Sequence, residues 1–436
     1  MPTTLSERCL WPQTSAETPL DYPALASHEE VDVCVVGGGI TGLSTALHLA
    51  EKGIKTTLLE AGDIPSGGSG RNVGLVNAGL WIPPDDIVAA LGKENGERVN
   101  SILGGAPSKV FNIIERHAIQ CDATRTGTLH LGHNAKGCQA LARRRDQLQN
   151  RGAPVTLLEG EACERATGTS QIYAALLDER AGTINPCAYT RGLARAATSS
   201  GATLYCHSAV TGIERQGDRW RVLTQDGSVT ANRVVMATNA YSEDEWNQVR
   251  KHFFTGHYYQ LASEPLTGDA AEAILPGKQG AWDTRTVLSS LRRDKEGRLL
   301  LGSLGNGEGK PLAYLTRWPI RYRTTTSPRS AAFAGNTPGQ VRSPLPLTTP
   351  YVFLSLPLGY CQPPVTTGAA LPLAPWLAKG LLSILPRAMT ACSLCRYRSP
   401  NPFEHVRYGA VPMKAVSRYI MQGSVYGYSS NQGVTT

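Results

Sequence analysis

Gly37, Gly39 and Gly42 stand at the spacing G-x-G-x-x-G, directly after the apolar run Val31-Asp32-Val33-Cys34-Val35-Val36. That arrangement suits a dinucleotide pyrophosphate. Glycines permit a tight turn, close approach of backbone to phosphate, and close packing of helix on strand. Ile40 and Thr41 fall where a helix would begin, and the free N–H groups and partial positive charge of a helix N-terminus favour an anion. Glu60, followed by Ala61, lies 18 residues beyond Gly42. A carboxylate there can accept hydrogen bonds from ribose hydroxyls, and it argues against a 2′-phosphate and so against NADP. A second glycine-rich run, Ser66 to Gly74, brackets one Arg and one Asn. Its residues Ser69, Gly70, Arg71, Asn72, Val73 and Gly74 are placed to line the pyrophosphate and ring side of an extended dinucleotide. The plain alternatives are an ordinary glycine-rich βα turn and a flexible surface loop.

These residues need elements to hold them. Val31–Val36 reads as a buried parallel strand. Leu43 to Lys52 carries apolar residues at helical spacing and stops at Gly53, and Thr56–Glu60 makes the next strand. Residues 1–28 read as a polar arm. Further along, Asp85–Leu91 and Ala106–His117 read as helices and Gly127–Leu131 as a strand. A helix over Tyr189–Ala197 is terminated by Gly201. A strand is expected around Ser208-Ala209-Val210. Val210–Ile213, Trp220–Leu223 and Val229-Thr230 read as short antiparallel strands, the last two joined by a turn at Asp226-Gly227. Val234–Ala237 returns to the buried parallel sheet, with Thr238 after it. Residues 250–305 are strand-rich and include His257–Glu264 and Leu288–Arg292.

The run Val33–Glu60 together with Ser69-Gly70-Arg71-Asn72-Val73-Gly74 resembles the FAD-dependent amine and amino-acid oxidoreductases of the D-amino-acid oxidase and sarcosine oxidase superfamily, in particular γ-glutamylputrescine oxidase-like members. Gly182-Thr183-Ile184-Asn185-Pro186 and Val234–Ala240 are similar to the family's text as well, and the resemblance runs from about Val31 to Trp318. It implies FAD as cofactor, with the backbone of Val210 meeting the adenine and Ala237 and Thr238 closing over the cofactor. It implies an α/β fold: a Rossmann-type FAD-binding domain from residues 31–80 and 182–250, preceded by the arm 1–30, and a β-rich substrate domain from 81–181 and 251–318 whose antiparallel sheet faces the flavin. The implied reaction is oxidation of the C–N bond of an amine or amino acid by hydride transfer to flavin, after which the imine hydrolyses; the electron acceptor is left open. Such chemistry needs little acid–base machinery, so catalytic residues are hard to name. The candidates for substrate contact are Asn77, Trp81, His257, Tyr259 and Arg285. For each, a packed aromatic or satisfied polar group is the plain alternative, and for Arg285 it is a surface salt bridge.

The net charge of +8 would suggest an anionic partner, but it is unevenly placed. From Pro319 onward there are 11 Lys or Arg and a single acid, Glu404, so the tail carries +10 and residues 1–318 carry −2. Fifteen of the 28 prolines also fall there. Nucleic-acid binding is therefore not expected. Ten scattered cysteines give no disulfide framework, and no metal-ligand spacing stands out; Cys392-Ser393-Leu394-Cys395 is a lone pair of thiols. No secretory signal and no membrane span are expected, since Ala369–Pro386 is broken by Pro372, Pro375 and Lys379. That leaves a cytoplasmic enzyme. Arg143-Arg144-Arg145 reads as a solvated helix face.

Residues 319–436 read as translated out of frame. Taking codons from their third base, Phe333–Gln340 can encode Phe-Arg-Trp-Glu-Tyr-Thr-Trp-Thr-Gly, which resembles family text, and Gly409–Tyr428 permits a shifted reading that ends in a stop. Val365–Gly368 fits the unshifted frame. In the segment expected to close near the flavin ring, Gly359–Gly368, Gln362, Pro363 and Pro364 replace glycines and a basic residue, and the two prolines remove N–H donors. A poorly ordered C-terminal part is therefore expected; the alternative for the tail is a divergent basic segment with its own role, and the alternative for the function is an inactive or flavin-poor remnant of such an enzyme.

Overall fold

The strand β1 (His28–Val36) begins exposed and ends in four consecutive buried residues. Parallel strands covered on both faces read as continuous apolar runs for this reason. The computed structural model describes residues 9–242, 253–285, 288–304 and 349–354. A short helix, α1 (Leu10–Gln13), precedes β1; α2 (Ile40–Ala50), β2 (Thr56–Leu59) and the two-residue β3 (Leu75–Val76) follow it. Three helices come next, α3 (Pro84–Leu91), α4 (Lys93–Gly104) and α5 (Ala106–Arg116). Then come β4 (Thr128–Gly132), α6 (Ala135–Gln149), β5 (Val155–Glu159), α7 (Gly160–Thr167), β6 (Ala174–Asp178) and β7 (Gly182–Thr183). The chain returns through α8 (Pro186–Ser199), β8 (Thr203–Tyr205), β9 (Gly212–Gln216), β10 (Arg219–Leu223) and β11 (Ser228–Met236). It ends in β12 (Phe253–Pro265), α9 (Asp269–Ala273), β13 (Gly280–Asp283), β14 (Ser289–Arg293), β15 (Arg298–Leu304) and β16 (Thr349–Leu354).

Two large sheets organise these elements. The first has six strands in the order β8-β2-β1-β11-β10-β9, parallel among β8, β2, β1 and β11 and antiparallel beyond. Helices α2 and α8 pack against it through Leu43, Leu47, Ala188, Leu193 and Ala197, all fully buried. Burial of each Leu contributes about 2 kcal/mol. The N-terminus of α8 is fixed locally: the Asn185 side chain accepts the Ala188 N–H and Pro186 opens the first turn. The second sheet has eight strands, β16-β12-β15-β14-β13-β4-β6-β5. It takes β4, β5 and β6 from residues 128–178 and β12 to β15 from residues 253–304. It is antiparallel except where β13 meets β4. That parallel pair arises where the two stretches meet, because the chain passes through the first sheet between them. A two-stranded sheet pairs β3 with β7.

Several elements differ from the sequence-based reading. Ser208–Val210 is not a strand; the strand there is β8, and β9 starts only at Gly212. The expected strands at Val229-Thr230 and Val234–Ala237 are one continuous β11, whose first half pairs with both neighbours and whose last residues are half-buried. Arg143 to Arg145 do not form a solvated face, since Arg144 is buried. The described part of the expected polar arm, residues 9–28, is not a free polar arm either. Cys9, Trp11, Tyr22 and Leu25 are buried, and the segment is tied down along its length. The Arg195 guanidinium donates to both Glu17 carboxylate oxygens at 2.7 and 3.0 Å, the Gln120 N–H donates to one of them at 2.9 Å, and the Leu25 N–H donates to Ser208 Oγ at 2.9 Å. Apart from β16, everything after Leu304, including the tail from Pro319 and the Cys392–Cys395 pair, lies outside the described residues. Among the described residues no helix is long and apolar enough to cross a membrane, and no group of side chains is placed to hold a metal ion.

Burial opposes ionisation of Glu17, but the Arg195 and Gln120 donors outweigh it and hold the carboxyl below its ordinary value of 4.5. A depressed carboxyl contributes stability that is present above about 4.5 and is lost as pH falls through the folded-state value. Glu17→Gln is expected to be less stable than wild type at neutral pH, with the difference held down to about pH 4.5 and shrinking only below it. Thermal melts across an acid series check this.

Candidate cofactor site

The first glycine loop leaves the carboxyl end of β1 and enters α2. Gly37 has φ +110°, and a Cβ there would lie 2.6 Å from the Ala237 carbonyl oxygen. A Cβ on Gly42 would lie 1.9 Å from the Gly37 carbonyl oxygen. Bare backbone is therefore required twice within one turn. Gly39 caps α2 with no side chain over the helix end. Glu60 follows β2, the neighbouring strand, and its carboxylate turns back to this loop. It accepts the Gly38 N–H at 2.6 Å, the Gly62 N–H at 3.0 Å and the Ser66 hydroxyl at 2.9 Å.

The second glycine loop lies against the first. Ser69 Oγ accepts the Ile40 N–H at 3.0 Å, which joins the loop to the first turn of α2. Asn72 is buried and organises the loop from inside. Its amide donates to the Ser69 and Gly68 carbonyls, and its Oδ1 accepts the Gly74 N–H at 2.8 Å. Arg71 donates to the Tyr241 hydroxyl at 2.7 Å.

Four successive carbonyls of this loop are held by side chains from distant parts of the chain. Gln260 Nε2, from β12, donates to Arg71 O at 2.8 Å. Trp11 Nε1 donates to Asn72 O at 2.8 Å. Arg292 Nη1, from β14, reaches Val73 O and Gly74 O at 3.2 Å each and Ile184 O at 2.5 Å. The Arg292 guanidinium also sits over the Trp11 ring, 5.2 Å from its centroid. Gly74 has φ +77°, and a Cβ there would lie 2.1 Å from Ile184 O and 2.5 Å from Arg292 Nη1.

The family described as "FAD dependent oxidoreductase" matches residues 32–341. The chain belongs to this family. The match takes in both glycine loops and runs past the boundary expected near Trp318. Among its relatives, the chain is 31% identical over 291 residues to a probable oxidoreductase, OrdL, of Rhizobium meliloti, covering 66% of this chain and 67% of that protein. It is 33% identical over 273 residues to gamma-glutamylputrescine oxidoreductase of Escherichia coli, covering 62% and 64%. The chain thus spans about two thirds of the length of these relatives. Among solved structures it resembles glycine oxidase from Geobacillus kaustophilus, with TM-score 0.62, 18% identity and coverage of 86% and 100%. It also resembles an L-amino acid deaminase from Proteus vulgaris, with TM-score 0.65, 17% identity and coverage of 89% and 95%. The shared feature at these identities is the fold.

The residues present fit FAD. The α2 N-terminus over Ile40 to Gly42, with Ser69 Oγ on its first N–H, the two positions closed to any Cβ and the carboxylate at the end of β2 suit a pyrophosphate and a ribose. The structure gathers Gly37, Gly39, Ile40, Thr41, Gly42, Glu60, Ser69, Ala237 and Thr238 around the ends of β1, β2 and β11, and carries Asn72 to Gly74 away to Trp11, Arg292 and Ile184. Ala237 is held by its N–H to Val36 O at 2.8 Å, and Thr238 by its hydroxyl to Ser242 at 2.5 Å. Ala61 is exposed beside Glu60, and Val210 packs on the core of the first sheet beside Val36 and Met236. Beside β4 of the second sheet, Asn77 accepts the Thr128 hydroxyl at 2.9 Å and lines a small cavity with Trp81, His130, Arg144 and Trp282. Arg144 donates to the carbonyls of Leu80 and Trp81, and the His130 and Trp282 rings stack at 3.5 Å. Burial, with Arg144 adding to it, holds His130 well below the ordinary imidazole value. Arg285 pairs with the buried carboxylate of Asp283. The side chains of His257 and Tyr259 lie outside the described residues; the backbone places them opposite Pro350 and Ser303.

Trp11, Gln260 and Arg292 were not among the sequence candidates. Gly74→Ala is expected to destabilise the protein by about 2–4 kcal/mol, from overpacking and a disfavoured φ, and to weaken flavin retention. Urea denaturation and the flavin content of the purified variant check both.

Proposed function

We propose that this chain oxidises the C–N bond of an amine or amino acid by hydride transfer to FAD, the imine product then hydrolysing. The observation that carries the reading is the convergence of both glycine loops and the Glu60 carboxylate at the carboxyl ends of the interior strands β1 and β2 of the first sheet, with β12 and β14 of the second sheet reaching in to hold the second loop. A bound FAD supplies the hydride-accepting ring. Glu60 is placed to accept ribose hydroxyls, the α2 N-terminus to face the pyrophosphate, and Ser69 to Gly74 to run along the cofactor towards the ring. The second sheet orients the substrate and keeps water out. This chemistry asks little of titratable side chains, which agrees with a loop held by amide, indole and guanidinium donors. The relatives named for gamma-glutamylputrescine, glycine and L-amino acids support a primary or secondary amine as substrate.

The purified protein is expected to be yellow and to bleach anaerobically with at least one member of a panel of γ-glutamyl amines and amino acids. A yellow protein that no amine bleaches overturns the substrate class. A second reading, a folded but flavin-poor remnant, is favoured by Pro363-Pro364 in the segment expected to close near the ring, and a colourless protein supports it. For the tail, sequencing the encoding DNA is expected to find one base lost or gained near the codon for Trp318. An uninterrupted frame with unrelated third-frame text overturns that reading.

A further inference from the structure

We infer that residues 9–14, which precede the family match, are part of the cofactor site, and that Trp11 is a positioning residue for the second glycine loop. The inference rests on the FAD reading above. An indole offers one donor and no acceptor, and Trp11 commits it, buried, to the Asn72 carbonyl. Asn72 is also the residue whose side chain fixes Ser69 and Gly74. The loop's inner organiser therefore has its main chain held by the N-terminal segment and its side chain turned inward.

The Trp11 ring has a second task. It lies under the Arg292 guanidinium, whose Nη1 holds the next two carbonyls of the loop. One side chain thus supports Asn72 directly and Val73 and Gly74 through Arg292. The four-residue helix carrying it cannot stand alone. It is held by Asn185, whose amide donates to Trp11 O at 3.4 Å and to Thr14 Oγ1 at 3.2 Å. It is also held by burial of Cys9 and Trp11 against Cys187, Ala262 and Leu300. Asn185 caps α8 with its other atom, so the segment is registered on the same framework as the dinucleotide sheet.

The test separates the hydrogen bond from packing. Trp11→Phe keeps a ring in the core and under Arg292 but removes the N–H. In this variant, FAD affinity read by flavin fluorescence titration is expected to fall about tenfold, the scale of one buried hydrogen bond. Trypsin cleavage after Arg71, followed by mass spectrometry without added FAD, is expected to accelerate, while the melting temperature stays close to wild type. Unchanged affinity and unchanged cleavage in Trp11→Phe overturn the inference. The same follows if only Trp11→Ala shows the effects, because Trp11 then acts by filling space. A wild-type protein that binds no FAD overturns the flavin reading instead, and protection of Arg71 still decides whether Trp11 positions the loop.

Discussion

The Arg292 guanidinium is a buried cation, and much of the site depends on how its burial is offset. Removing an ion from water costs several kcal/mol unless its hydrogen-bonding capacity is met. Burial pushes the Arg292 pKa down to about 10, with Asp294 and Asp122 acting in the opposite sense, so it stays charged at neutral pH. The main-chain carbonyls of Val73, Gly74 and Ile184 accept from it, and Trp11 gives it an aromatic face. Those partners come from the second glycine loop, from the approach to α8 and from the N-terminal segment, while Arg292 itself belongs to the second sheet. A single charge therefore obliges four parts of the chain to meet.

The dinucleotide half of the fold was legible because its signals are local. The strand, glycine loop, helix, strand and acid occur in order within about thirty residues, and each is fixed by its neighbours: β1 by its apolar run, α2 by its spacing, the Gly37–Gly42 turn by its lack of side chains. What escaped reading is long-range. Trp11 and Asn72 are 61 residues apart, Gln260 and Arg71 are 189 apart, and Arg292 and Val73 are 219 apart. No periodicity encodes such pairs. A faint signal existed for two of them: an apolar Leu10-Trp11 pair within the N-terminal stretch, and an Arg in a strand where Ser290 and Arg292 share a face. Arg144 escaped for a related reason. Its neighbours Arg143 and Arg145 made a uniform basic face the natural expectation, yet the three residues point in different directions around α6, and the middle one turns to the carbonyls of Leu80 and Trp81.

The second sheet was legible as strands but not as a topology. The strand-rich stretch 250–305 was read to include His257–Glu264 and Leu288–Arg292, and the structure lengthens the first to thirteen residues. The parallel meeting of β13 and β4 was invisible, because it follows from where the chain re-enters the sheet and not from the composition of either strand. Likewise, β11 looked like two strands because its middle, Asn232-Arg233, is exposed, although its pairing with β1 continues past that point.

The register of β1 has a consequence for how the protein is made. His28 lies beside Ser228, and the last β1 residue beside Met236, so the central strand of the dinucleotide sheet has a partner about two hundred residues downstream. Loop closure over that distance is slow compared with pairing of adjacent hairpins. During synthesis the strand bearing the first glycine loop must therefore wait, with its apolar run uncovered on one edge, until more than half of the chain has been made. The helices of residues 84–116 and the antiparallel strands β4, β6 and β5 are local and can form first, so β1 is covered only after them.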